Sequence, residues 1–418
     1  MDLGGEKQVQ KRRFKLEEDQ STRRNGMESL PRDIALDILS RLPITSVIQS
    51  RFVCRSWNML SHDPHLVNLQ FSETANNTPY LIFHSDYPIR NQLYFVDFTD
   101  QDDTHKMKEK VKKIRIPFWS DMPEFYVVGS CNGLLCLLDS LYKDALHVYN
   151  PFTRDYKELP KSVKFQEQEA VFGFGFHPVT GEYKVVKVVY YRHGNCGSLG
   201  ARRFRIRDYS QSEVQIYSLG SNSWRSIGKA PYQFERRSSE ALVNGRLHWV
   251  TRLGRYHGAR GRIIVSFDIA EEQFLEVPRP ECGGLNRCNY RLTVLGGCLS
   301  AVVYCNYGKL EIWVMKDYSV KESWIKEFNI AAYSPKLMNQ ELQQSYGIWR
   351  NILSGKGARV LCLLKNGNLL IEYKGGVIVS YNPESRKFKN LTFQGMPNLF
   401  QTVVHVGSLN WIDNPIGM

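Results

Sequence analysis

The sequence lacks most of what marks a membrane, secreted or enzymatic chain. No apolar run reaches the ~18 residues that cross a bilayer. The first residues are polar and basic, without the apolar core of a secretory signal. These absences lead us to expect a chain held in the cytoplasm, the nucleus or both. Nine cysteines are scattered without one Cys-x-x-Cys pair, and Cys282 and Cys288 have no histidine pair nearby. A zinc site is therefore not expected, nor are disulfides in a reducing compartment. Cys131, Cys136, Cys298, Cys305 and Cys362 sit instead within apolar runs, where a free thiol behaves as a small hydrophobe.

Catalytic signatures are equally scarce. There is no Gly-x-Ser-x-Gly elbow, no His-Glu-x-x-His and no Gly-Lys-Ser/Thr. Gly173-x-Gly175 does not continue into a phosphate-binding loop and reads as part of a strand turn. The ten histidines are dispersed, and His147, His248 and His405 fall in strand-like runs, where a packed, hydrogen-bonded role is expected. No cofactor, no metal and no catalytic residue is expected. An enzymatic site dispersed around the chain stays open at this point.

What is present divides the 418 residues in two. Hydrophobic residues at 42% and aromatics at 12% indicate globular structure. Residues 29 to 57 read as a compact helical module. Pro31 suits the first turn of a helix, and Ile34, Ile38, Leu39 and Leu42 recur at one-turn spacings. Pro43 ends that helix, and Ser46 is placed to cap a second one carrying Val47, Ile48 and Val53. Cys54 and Trp57 follow, with Arg51 and Arg55 on the polar side. Such a unit barely buries a core of its own, so a partner is expected to cover its surplus apolar surface.

These residues resemble an F-box. The family's order appears as Leu30-Pro31, Asp33-Ile34, Asp37 through Pro43, Ser46-Val47, Arg51 through Trp57, and Asp63-Pro64. Gln49-Ser50 departs from the Arg-Phe usual in plant relatives. The resemblance implies a three-helix module that docks the Skp-type adaptor of a cullin–RING ubiquitin ligase. The adaptor contacts it implies are Leu30, Pro31, Ile34, Ile38, Leu39, Leu42, Pro43, Val47, Arg51, Cys54 and Trp57.

Beyond a polar segment at 72–79, read as a linker, the pattern alternates apolar and polar and is rich in Val, Ile, Tyr, Phe and Trp. Strands are expected near Leu93 to Phe98 and Ile114 to Pro117. Asn132-Gly133, Asn244-Gly245, Gly296-Gly297 and Asn366-Gly367 sit between apolar runs as tight hairpin turns. Thr180-Gly181 and Val406-Gly407 occupy comparable places. After the first five comes a strand, a turn and a closing aromatic: Tyr149/Tyr156, Tyr217/Trp224, Phe267/Phe274, Met315/Trp324 and Tyr381/Phe388. The unit recurs at intervals of roughly 50–70 residues, the signature of propeller blades. The last hairpin runs out of chain, so the final blade is expected to take strands from both ends of the domain. A two-sheet sandwich is the competing architecture.

This region resembles the F-box-associated domain of plant proteins, related in its turn grammar to kelch propellers. The resemblance rests on GSCNGLLCLLD from Gly129, NPFTRDYKELP from Asn150, FGFGFHPVTGEYKVV from Phe172 and the NPESRKF run at Asn382. The expected fold is thus a small all-α module followed by a large all-β domain, a six-bladed β-propeller closed by both its ends. The expected boundaries are a basic tail at 1–26, the F-box at 27–71, the linker at 72–79, the propeller at 80–412 and a tail at 413–418.

The formal charge of +13 is clustered. Arg202, Arg203, Arg205 and Arg207 crowd one insertion; Arg252, Arg255, Arg260 and Arg262 crowd another; Lys11, Arg12, Arg13, Arg23 and Arg24 crowd the N-terminal tail. The first group is the candidate for holding an acidic or phosphorylated substrate, with a merely solvated loop as the bland alternative. Two functions compete. One is a substrate receptor of a Skp–cullin–F-box ligase, with an unknown protein target. The other is a ligase-independent binding or regulatory protein using a basic propeller surface. Nucleic acid and membrane are not expected as partners.

Overall fold

The computed structural model describes residues 30–412 except 76–78, 88, 98–109, 142–144, 166–167, 192–210, 222, 238, 240, 257–258, 283–288, 336–356 and 374–375. The chain divides into two compact units at the 76/77 boundary.

The first unit holds four short helices rather than three: α1 (Arg32–Ser40), α2 (Ile44–Ser50), α3 (Arg55–Ser61) and α4 (Pro64–Ala75). Helix α4 therefore continues into the segment expected as a linker. Its start explains the Asp63-Pro64 pair. The Asp63 carboxylate accepts the His65 N–H at 2.9 Å, and Pro64 fills the first helical position, where no N–H is needed. Pro31 and Pro43 each stand just before a helix. Ser46 lies inside α2 and caps nothing, because the helix starts after Pro43, three residues earlier than expected.

The second unit is a ring of six four-stranded antiparallel sheets. Blade two runs β4 (Phe125–Cys131), β5 (Leu134–Asp139), β6 (Leu146–Tyr149), β7 (Tyr156–Glu158). Blade three runs β8 (Glu169–His177), β9 (Glu182–Tyr191), β10 (Gln211–Ser218), β11 (Trp224–Gly228). Blade four pairs β12 (Ala241–Val243), β13 (Arg246–Val250), β16 (Ile264–Asp268) and β17 (Phe274–Val277), and β14 (Gly254–Tyr256) with β15 (Ala259–Gly261) forms an inserted hairpin. Blade five runs β18 (Tyr290–Leu295), β19 (Cys298–Tyr304), β20 (Leu310–Met315), β21 (Trp324–Ile330); blade six runs β22 (Ala358–Leu363), β23 (Leu369–Tyr373), β24 (Val377–Asn382), β25 (Lys387–Leu391). Blade one is the joint: β26 (Leu399–His405) pairs with β1 (Tyr80–Tyr87), which pairs with β2 (Gln92–Val96) and then β3 (Lys112–Lys113).

Five of the six expected hairpins join the first and second strands of a blade. Asn132 and Asn244 take positive φ there, as a two-residue turn between twisted strands requires. The closing pairs are direct cross-strand partners: Tyr149↔Tyr156, Tyr217↔Trp224, Phe267↔Phe274, Met315↔Trp324 and Tyr381↔Phe388. Two of the tryptophans also reach the preceding blade. Trp224 donates its indole N–H to the Pro160 carbonyl at 2.6 Å, and Trp324 to that of Pro278 at 2.8 Å.

The propeller departs from expectation at two places. Val406-Gly407 makes no hairpin, because the strand before it, β26, finds its neighbour at the other end of the domain. The segment after it crosses to blade two instead: Asn150 donates to the carbonyls of Ser408 and Asn410 at 2.9 and 3.0 Å, and the Ile412 N–H donates to Asp155 at 2.9 Å. The strand expected at Ile114 to Pro117 is confined to Lys112–Lys113. Pro117 cannot donate to a ladder, while Ile114 and Ile116 are buried against blade two.

A buried ion pair fastens the joint. Arg359 on β22 meets Glu372 on β23 at 3.0 Å. Glu372 accepts the Thr402 N–H at 2.7 Å and its hydroxyl at 2.8 Å, and Arg359 donates to the Thr402 carbonyl. Thr402 belongs to β26, so this cluster ties blade six to blade one. Burial raises the Glu372 pKa, and the Arg359 charge and the Thr402 donors oppose that rise.

Candidate docking surfaces

In the helical unit, α1 carries two apolar faces. At 3.6 residues per turn, Leu36 lies about 200° from Ile34 and Ile38 about 200° from Leu36, so the isoleucines share one face and Leu36 with Leu39 holds another. Leu36, Leu39, Ile44, Val47, Leu66 and Val67 are buried and form the unit's own core. Leu39 and Val47, expected among the adaptor contacts, thus face inward and are unavailable to a partner. Pro31 and Pro43 are exposed, while Leu30, Ile38, Leu42, Arg51, Cys54 and Trp57 are half-buried. Burial lowers the Arg51 pKa. Ile34 is 49% exposed.

The sequence reading missed the most exposed apolar side chains of this unit, Phe52 at 87% and Met59 at 71%. Phe52 and Val53 occupy the turn after α2, which ends at Ser50 rather than reaching Val53. Two large apolar residues in a turn between polar flanks were the available signal, since turns normally carry small polar residues. Ser50, half of the departure from the family pattern, is buried, and its hydroxyl donates to the Val47 carbonyl at 2.6 Å.

In the propeller, antiparallel succession places the short first–second and third–fourth turns on one face. Second–third loops and connections between blades open on the other. Ile89, Trp119, Leu141, Val163, Leu253 and Tyr307 are exposed, and all lie in loops of this second face. Tyr307 is the extreme: 95% exposed, with φ of 60° at the tip between β19 and β20. A non-glycine residue held in the left-handed region stores strain. Among described residues the turn face offers Val179 and Val320.

Arg202, Arg203, Arg205 and Arg207 lie outside the described residues; Tyr191 and Gln211, which flank their insertion, end on the loop face. The second arginine cluster is partly spent on internal pairing. Arg252 donates to Glu169 at 2.8 Å and to the Phe234 carbonyl at 2.9 Å, and Arg262 meets Glu235 at 3.1 Å. Trp249, at the centre of an aromatic-rich hairpin, is buried and donates to the Phe172 carbonyl at 3.3 Å.

The histidines singled out earlier are buried. His248 contacts the Tyr318 hydroxyl at 2.8 Å and is held down at about 4 by burial. His405 contacts the Ser130 hydroxyl at 2.9 Å and is held at about 3, while burial also lowers His147. His84, buried against the Phe125 ring, is likewise held at about 4. Along the ring axis runs a cavity of about 330 Å³ lined by residues of all six blades, among them Val127, Phe174, Leu247, Thr293, Leu361 and Gln401.

A helical unit with an outward apolar face, followed by a six-bladed ring, is the arrangement that comparison with known proteins recovers. Residues 27–68 match the F-box-like family and residues 80–412 the F-box associated beta propeller domain. The chain belongs to the F-box proteins that carry this propeller. It is 52% identical over 426 residues to the Arabidopsis thaliana F-box protein At3g07870, covering 100% of both chains. It is 27% identical to the Arabidopsis F-box protein CPR1, over 92% of this chain and 89% of that one. F-box/kelch-repeat protein At3g23880, also from Arabidopsis, is 28% identical over 75% of this chain and 82% of its own. Among the described residues of this F-box protein, no helix is long and apolar enough to cross a membrane.

Proposed function

We propose that this F-box protein is the substrate-recognition subunit of a Skp–cullin–F-box ubiquitin ligase. Its helical unit docks the Skp-type adaptor, and its propeller holds a target protein for ubiquitination and degradation. One observation carries the reading: the unit completes its own core with Leu36, Leu39, Ile44 and Val47, yet leaves Ile34, Phe52, Val53 and Met59 exposed. Apolar surface beyond what a core needs marks a binding face. The role is non-catalytic. Holding a target near the ligase raises its effective concentration, and chemistry is left to the other subunits. This work takes place in the cytoplasm or nucleus.

The target meets the loop face, where exposed aromatic and aliphatic side chains gather; tyrosine and tryptophan are the usual anchors of protein interfaces. The competing reading, a basic surface working without the ligase, is weakened by the internal pairing of Arg252 and Arg262. Co-purification of the full chain with adaptor and cullin tests the proposal. A Pro31→Ala/Ile34→Ala variant should keep its fold and lose adaptor binding about tenfold or more. Undiminished adaptor capture by that variant, or none by the parent chain, overturns the docking assignment.

A further inference from the structure

We propose that the axial channel of the propeller is a binding site for a small, electrically neutral molecule that combines apolar surface with an amide- or hydroxyl-type hydrogen-bonding group. The channel's volume is about 330 Å³, and clefts of this order, walled mainly by apolar side chains with a few convergent polar ones, are what small ligands occupy. Val127, Phe174, Leu247, Leu361 and Val403 supply the apolar wall.

Two of the polar side chains in the wall are largely buried and have no partner among the described residues. Gln401 on β26 is 7% exposed and Thr293 on β18 is 8% exposed. Neither the Gln401 amide nor the Thr293 hydroxyl hydrogen-bonds to another group among the described residues. Neither group is sealed off from the channel, so a molecule in the channel can reach both and take the place of the water that otherwise satisfies them. The amide offers both donor and acceptor, and the hydroxyl adds one of each. The ligand must therefore present the complementary pair.

Charge complementarity decides neutrality. Among the described residues, Arg359 is the one charged side chain in the wall, and it is already matched by Glu372 at 3.0 Å. An ionic ligand would be taken from water into a channel whose charge is balanced, which is costly. Because six blades contribute to the wall, a bound molecule bridges the whole ring and stiffens it.

Full-length protein is titrated with a panel of primary amides, lactams, phenols and polyols, alongside carboxylates and amines of matched size, with binding read by ligand-observed NMR and melting temperature. Neutral members should bind and raise the melting temperature, with matched ions at least tenfold weaker. Gln401→Leu and Thr293→Val should each weaken the best binder about tenfold, since a site built around hydrogen bonds discriminates through them. If Gln401→Leu does not fold, Thr293→Val decides the matter alone. The proposal falls if no neutral member binds, leaving a channel filled by water only. It falls equally if carboxylates or amines bind as well as amides, or if binding to a folded variant is unchanged. None of these results depends on ubiquitin ligase assembly.

Discussion

A residue's neighbours on a helix decide whether it serves the fold or a partner, and α1 shows both outcomes one residue apart. Leu39 is buried and Ile38 is half-buried. Leu39→Ala should cost about 2–5 kcal/mol, the range for truncating a core leucine, and so melt a unit this small. Ile34→Ala should leave the circular-dichroism melt almost unchanged while weakening adaptor capture. Sequence periodicity found the stripe but could not divide it, because Ile34, Ile38, Leu39 and Leu42 fit one helical face until Leu36 reveals a second. The buried histidines make a second prediction. His84 and His248 are held at about 4 and His405 at about 3, below the unfolded value of 6.5. Their neutral forms are favoured in the fold, so the stabilisation is complete above pH 6.5 and declines as pH falls through about 4. Between pH 6.5 and 5 each should remove up to about 1.4 kcal/mol per pH unit. Urea midpoints across that window should fall more gently for His84→Asn than for the parent chain; parallel slopes would contradict the burial argument.

Strands and turns were the most legible elements, for a geometric reason. The residue before a tight third–fourth turn pairs with the residue after it, so Tyr217 and Trp224 or Tyr381 and Phe388 stand at fixed separation whatever the rest of the blade does. Met315 and Trp324 are further apart because Lys316 to Ser323 makes a longer turn. The Arg359–Glu372–Thr402 cluster was not legible, since its members are distant in sequence and each looks like ordinary strand polarity. The anchoring of Ser408 to Ile412 on blade two was hidden for the same reason, Asn150 and Asp155 reading simply as turn residues. These elements predict different outcomes for two truncations. Removing residues 400–418 takes most of β26, leaves Arg359 and Glu372 without Thr402, and should abolish cooperative melting of the whole ring. Removing 408–418 spares the strand and breaks the bonds to Asn150 and Asp155; the ring should still melt in one transition, several degrees lower. Calorimetry separates the two, and a cooperative, undisplaced transition for the shorter chain would contradict closure by β26.

At the scale of the molecule, the ring holds its apolar cores between blades rather than within them. Blades two and three share one cluster around Cys136 and Val185, and blades five and six share another around Ile312 and Ile371. Loss of any blade therefore exposes its neighbours, and the propeller should unfold as one unit. Tyr307→Ala should be invisible to that melt and visible only in target capture; equal recovery of captured proteins would move the target site off the β19–β20 tip. The pairing of β1 with β26 also has a consequence in time. Leu81 waits for Val404, more than three hundred residues later in the chain. At the ribosome's pace of about 5–20 residues per second the wait is about 15–60 s, during which the helical unit is already complete. A message interrupted late in its reading frame thus yields a polypeptide with a finished adaptor-docking end and no closed ring. On the proposed function such a fragment occupies ligase without delivering a target, so late nonsense alleles should behave as dominant competitors where early ones are silent.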